Sequence, residues 1–185
     1  MKILVVIDMQ NDFITGVLGN DECRTVVPKV LERMERARRE GWKIICTQDV
    51  HGEDYLTTGE GKRLPVKHCI RGSRGAALID EIERMQKEWA GEQVFLAESP
   101  FEKNAFGSTK LSEMLGKYEP EEIELIGVCT DICVISNAMI MRSDYPNIEV
   151  SVDASCCAGV TVQSHDNALA SMTGCQITVK QGENA

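Results

Sequence analysis

The chain has 185 residues, 43% hydrophobic and 26% charged, which suits one globular domain (1–185) around a single core. A net charge of -9 argues against nucleic acid as a partner, because phosphate binding needs clustered Lys and Arg. The opening apolar run Ile3–Ile7 stops at Asp8, too short for a signal-peptide core or a membrane span. A cytoplasmic protein with no membrane partner is therefore expected. Its eight cysteines should be thiols, and they contain no Cys-x-x-Cys pair that would signal a zinc ribbon or a thioredoxin motif.

In chain order, the first strand is expected over Lys2–Asp8, a Val- and Ile-rich run without polar alternation. A helix follows, with Val27, Val30, Leu31 and Met34 at helical spacing and Gly41 as its stop. A second strand covers Lys43–Thr47. The segment Val50–Gly75 has no periodicity, and a loop that long inside a compact domain is usually functional. Then come a helix at Ala77–Glu88, a strand at Gln93–Ala97, a helix at Ser108–Leu115 and a strand at Glu122–Gly127. The chain ends with a helix at Ile132–Arg142, a strand at Ile148–Val152, a helix at Val162–Met172 and a strand at Gln176–Val179. Strand and helix in alternation mean an α/β fold: a mostly parallel six-stranded sheet with helices on both faces, in three α-β-α layers. Adjacent Cys156 and Cys157 read as core thiols.

In such sheets ligands bind beyond the carboxyl ends of the strands. Four reactive side chains fall there: Asp8 ending the first strand, Asp49 just past the second, Lys103 in the loop after the third, and Cys133 opening the helix after the fourth. The turn after Asp8 reads Met9-Gln10-Asn11-Asp12-Phe13 and lacks the glycines that a pyrophosphate requires, which argues against a dinucleotide enzyme. With Thr130 or Asp131 as cap, Cys133 would sit in a first helical turn, where free N–H groups favour a thiolate and offer an oxyanion hole. Cys129, one turn away, is read as a backbone contributor, with a resolving thiol as the alternative. Phe101, Ala105 and Phe106 suggest that the Lys103 loop packs down onto the sheet. From residue types alone, Asp49, His51 and His68 offer one carboxylate and two imidazoles, a set suited to Zn²⁺, Fe²⁺ or Mn²⁺. His165, beside Asp166, reads as a surface or cap residue.

Five segments resemble the isochorismatase-like cysteine hydrolases, and among them the nicotinamidase branch: VVIDMQNDF (Val5–Phe13), TQDVH (Thr47–His51), LPVKHCIRGSRG (Leu64–Gly75), EKNAFGST (Glu102–Thr109) and GVCTDICVISNA (Gly127–Ala138). The resemblance implies the Rossmann-like isochorismatase fold and an Asp-Lys-Cys triad at Asp8, Lys103 and Cys133. It also implies a cis peptide before Cys129 and an oxyanion hole from the backbone N–H groups of Cys129 and Cys133. It adds a carboxylate ligand, Glu60 first and Glu53 second, to Asp49, His51 and His68 around one divalent transition metal, zinc before iron or manganese. A homo-oligomer is implied as well.

The implied activity is hydrolysis of a small primary amide through a thioester, nicotinamide to nicotinate and ammonia. The alternatives are another small amide (a carbamoyl or ureido compound) and a non-enzymatic thiol-sensing relative using Cys129 and Cys133. Vinyl-ether cleavage needs no nucleophilic cysteine, so Cys133 speaks against it. The sequence departs from the branch in holding Leu64-Pro65 where relatives carry an aromatic residue, and in a short loop ending at Gly107-Ser108. Phe13 is the substrate-stacking candidate, with Tyr55 and Phe106 behind it.

Overall fold

Six strands, β1 (Lys2–Ile7), β2 (Lys43–Asp49), β3 (Phe101–Lys103), β4 (Glu122–Val128), β5 (Glu149–Ala158) and β6 (Thr178–Lys180), form one sheet in the order β3-β2-β1-β4-β5-β6. Every neighbouring pair is parallel. The helices are α1 (Asn11–Ile14), α2 (Asp21–Arg39), α3 (Asp80–Glu88), α4 (Thr109–Gly116), α5 (Ile135–Asp144) and α6 (Val162–Gly174). The structure, a computed structural model, describes residues 1–182. Residues 183–185, the end of the expected domain, lie outside the described residues. No helix among the described residues is long and apolar enough to cross a membrane.

The period-two geometry of β1 splits its buried residues between two cores. Leu4 and Val6 face α2 and α3, meeting Val30, Met34 and Ile82. Ile3, Val5 and Ile7 face the other side, meeting Leu111, Leu115, Val134, Ala138 and Met172 from α4, α5 and α6 and the turn before α5. Each fully buried aliphatic side chain of this kind contributes about 1.5–3 kcal/mol relative to exposure. Cys156 and Cys157 are buried on opposite faces of β5, as core thiols should be. Helix α2 ends where expected: Gly41 takes the left-handed conformation (φ 75°) just beyond it.

The strand order reverses between β1 and β4, so the carboxyl ends of these two central strands diverge into a crevice, the place where open α/β sheets bind ligands. Gly127 permits the closeness this needs. Its φ is 114°, and a Cβ there would stand 2.2 Å from the carbonyl oxygen of Ile7.

Two expected elements are placed differently. Gln93–Ala97 is not the third strand: Phe95 makes a single parallel bridge to Ile44, and the ladder resumes only at β3. Pro100 has no N–H to give the ladder, and the Cys46 N–H donates to Ser99 Oγ at 3.0 Å rather than to a strand carbonyl. Lys103 is therefore the last residue of a strand, not part of a loop. The helix expected from Ile132 begins as a π-helical turn over Thr130–Val134 and becomes α-helical only at Ile135.

Candidate active site

Asp8 follows β1 directly and sits in the left-handed region (φ 49°), which is uncommon for a non-glycine residue. It is fully buried. Thr47 of β2 grips it twice, accepting from the Asp8 N–H at 3.1 Å and donating to Oδ1 at 2.6 Å. The other oxygen, Oδ2, lies 2.6 Å from Lys103 Nζ. Lys103 also donates to the Ala105 carbonyl at 3.1 Å and to Cys133 Sγ at 3.6 Å. Three strand ends and the π-turn thus bring Asp8, Lys103 and Cys133 together.

Burial raises the pKa of the Asp8 carboxyl above the ordinary value, because it outweighs the neighbouring Lys103 charge. For Lys103 burial works the other way, but the Asp8, Cys133 and Asp49 charges overcome it and keep the ammonium protonated. The Cys133 thiol is pushed well up by burial first and by the Asp8 charge second, with Lys103 opposing. Burial thus works against the thiolate that a helix start would favour, and Lys103 works for it.

The cap is also different. Cys129 stands at the N-cap position without a side-chain bond. Thr130 Oγ1 instead pairs with His165 Nδ1 at 2.8 Å, and Asp131 Oδ1 accepts from the Val160 N–H at 3.0 Å. His165 is therefore a partly buried brace of the turn, not a surface or cap residue. The Val128–Cys129 peptide is cis. Cys129 packs against the α2-side core that holds Cys23, whereas Cys133 belongs to the core on the other face of the sheet. All eight cysteines are free.

Beside the triad the long loop gathers Asp49, His51, Glu60 and His68, whose donor atoms all lie within 4.8 Å of one another. His51 Nε2 is 2.8 Å from Asp49 Oδ2 and 3.7 Å from Glu60 Oε1. His68 Nε2 is 3.7 and 3.8 Å from the same oxygens. His68 Nδ1 lies 2.9 Å from the Val66 carbonyl, which can only accept, so its proton is there and Nε2 presents a lone pair to the cluster. Two imidazoles and two carboxylates at this spacing fit one divalent metal ion. Burial opposes the Asp49 carboxylate, yet the His51 hydrogen bond and the Lys103 charge hold its pKa below the ordinary range. Glu53 lies outside the group, exposed and paired with Lys67.

Between triad and cluster lies a cavity of about 220 Å³, lined by Phe13, Leu18, Leu64, Phe106, Ile132 and Val160 as well as Asp49, Glu60, His68 and Cys133. Phe13 lines the cavity, its ring tilted against that of His68 at 5.7 Å. Tyr55 does not: it is fully buried behind His51 and His68 and donates to the Leu64 carbonyl. Phe106 does not pack onto the sheet but stands half exposed at the cavity mouth.

Two residues escaped the sequence reading. Gln10, fully buried, donates to the carbonyls of Asp49 (2.8 Å) and Ala76 (2.7 Å) and accepts from the Asp49 N–H (2.7 Å), fixing a cluster residue to the end of β1. Its place inside the first motif was the only available signal. Asn137, also fully buried, binds Cys133 and the segment after β3 together.

Residues 2–183 match the family described as the isochorismatase domain. The nicotinamidase of Escherichia coli (strain K12) is 28% identical over 196 residues, covering 92% of this chain and 89% of that protein. Among solved structures, the nicotinamidase/pyrazinamidase of Bacillus subtilis matches with a TM-score of 0.85 at 22% identity, over 97% of this chain and 99% of that one. The pyrazinamidase of Pyrococcus horikoshii, solved in complex with zinc, matches with a TM-score of 0.76 at 23% identity, over 97% and 98%. At these identities the solved structures speak to the fold.

Proposed function

The chain belongs to the isochorismatase family, and on that footing we propose that it is a cysteine amidohydrolase converting nicotinamide to nicotinate and ammonia. Its similarity to nicotinamidases along nearly the whole chain supports the substrate. The observation that carries the chemistry is Lys103 Nζ, 2.6 Å from the Asp8 carboxylate and 3.6 Å from the sulfur of Cys133, which itself lines the cavity.

In this reading Asp8 is the general base. It takes the Cys133 thiol proton as sulfur attacks the amide carbon, which spares the site a thiolate its burial disfavours. Lys103 stays protonated and balances the negative charge as it passes from carboxylate to sulfur. The backbone N–H groups of Cys129 and Cys133 receive the developing oxyanion. When the tetrahedral intermediate collapses, the C–N bond breaks and Asp8 returns its proton to the departing ammonia. A water molecule then gives a proton to Asp8, attacks the thioester carbonyl, and releases the acid with the thiol restored.

Asp49, His51, Glu60 and His68 would hold the metal, zinc being the proposed ion. When bound, it supplies a Lewis-acidic position for a pyridine nitrogen and so orients the ring. Phe13 and Leu64 give that ring apolar walls. Among the described residues no Lys or Arg lines the cavity, which disfavours ureido acids carrying a free carboxylate. A cytoplasmic homo-oligomer formed from the single domain 1–185 completes the proposal. Ammonia release across a panel of neutral and anionic amides, with and without chelator, tests it: preference for an anionic ureido compound would replace nicotinamide by that class.

A further inference from the structure

Asn137 lies in the second half-turn of α5 and is wholly buried, although it belongs to neither triad nor cluster. An asparagine amide is costly to bury unless its groups are bonded. Here Nδ2 donates to the Cys133 carbonyl at 2.8 Å and to the Phe106 carbonyl at 3.0 Å, while Oδ1 accepts from the Ser108 N–H at 3.0 Å. One side chain therefore fastens the segment after β3 to the turn that carries the nucleophile. That segment supplies the Ala105 carbonyl to Lys103 Nζ and the Phe106 ring to the cavity mouth.

Gly107 marks the same contact from the loop side. A Cβ there would stand 2.8 Å from Ile140 Cδ1 and 3.1 Å from Ser136 Cβ, so the segment has no room to settle closer to α5.

We propose that Asn137 is a positioning residue: its amide sets the distance between the β3 segment and the nucleophile turn, and so holds Lys103 in line between Asp8 and Cys133. The assignment rests on the amidase reading only for its kinetic readout.

The test compares wild type with Asn137→Ala, Asn137→Thr and Gly107→Ala. Threonine can still donate to the Cys133 carbonyl one turn back, but it cannot span to the loop. A misplacement near 1 Å costs on the order of a hundredfold in rate. All three variants should lose about ten- to a hundredfold in kcat for nicotinamide, with KM changed less than about threefold. Alkylation of Cys133 by iodoacetamide reads the nucleophile without substrate. It should slow at least about fivefold, since the sulfur has lost its aligned cation.

A merely structural role predicts the opposite, faster alkylation through a loosened loop. Unchanged or faster alkylation in the folded variants overturns the proposal. Should both Asn137 variants fail to fold, Gly107→Ala tests the spacing that Asn137 is proposed to set, and unchanged kcat and alkylation there overturn the proposal. Wild type inactive on nicotinamide but with slowed alkylation in the variants would remove the substrate reading and leave Asn137 its role.

Discussion

Lys103 Nζ lies 2.6 Å from Asp8 Oδ2 in a pair that is almost wholly enclosed, each side chain exposed by 1% or less. Two charges buried so completely are costly to desolvate, and their attraction is not by itself a reason to keep them. Their shared neighbour is Cys133, which on the proposed reading takes its base from Asp8 and its cation from Lys103.

The nucleophile comes first. Cys133→Ala should reduce turnover by about 10³-fold or more while leaving the melting temperature near that of wild type, because a methyl group fits the same turn. Retained turnover of a few per cent, measured by ammonia release, would take the nucleophile's role from Cys133.

Asp8→Asn keeps the shape and the Thr47 contact but cannot carry a proton. The expected loss in kcat is about 10²–10⁴-fold, the usual worth of a general base. If the variant kept its turnover and its pH dependence, another base would have to be found.

The pH profile tests the same group by sign. Catalysis needs Asp8 ionised, so kcat/KM should fall as pH drops through its pKa, and burial puts that acid limb above the ordinary carboxylate value. Lys103, held above the ordinary lysine range, should contribute no loss on the alkaline side below that range. Lys103→Met removes the largest effect that lowers the Asp8 pKa, so the limb must move to higher pH in the variant. A limb that moves to lower pH would show that Asp8 is not the titrating group.

Much of this was legible before the fold was known, and the limits have physical causes. Asp8, Asp49, Lys103 and Cys133 could be singled out because each stands at or just past an expected strand end, and His51 and His68 because their residue types suit a metal, whereas Glu60 came only from the resemblance. The third strand was misplaced because Gln93–Ala97 has the apolar run of a buried strand, whereas the pairing beyond Pro100 depends on β2. The π-turn at Thr130–Val134 shares the apolar spacing of an α-helix over so few residues, so no period distinguishes them. A helix start is visible in sequence, whereas the burial that opposes a thiolate at Cys133 is not. Gln10 and Asn137 look like ordinary polar residues until the tertiary fold encloses them.

The metal cluster carries the last prediction. If Asp49, His51, Glu60 and His68 bind one ion, purified protein should hold about one transition metal per chain by elemental analysis. His51→Ala should lose it. The proposed contact is with a ring nitrogen, so KM for nicotinamide should rise by about tenfold or more, the equivalent of one ligand contact. Benzamide lacks that nitrogen, and it should be a poor substrate for wild type and no poorer for the variant. This split separates a lost binding contact from a lost catalytic group, which would lower kcat for both amides alike. Metal-free protein with full activity would remove the ion from the reaction. The triad at Asp8, Lys103 and Cys133 would stand, and the preference for pyridine amides would then have to come from Phe13 and Leu64 alone.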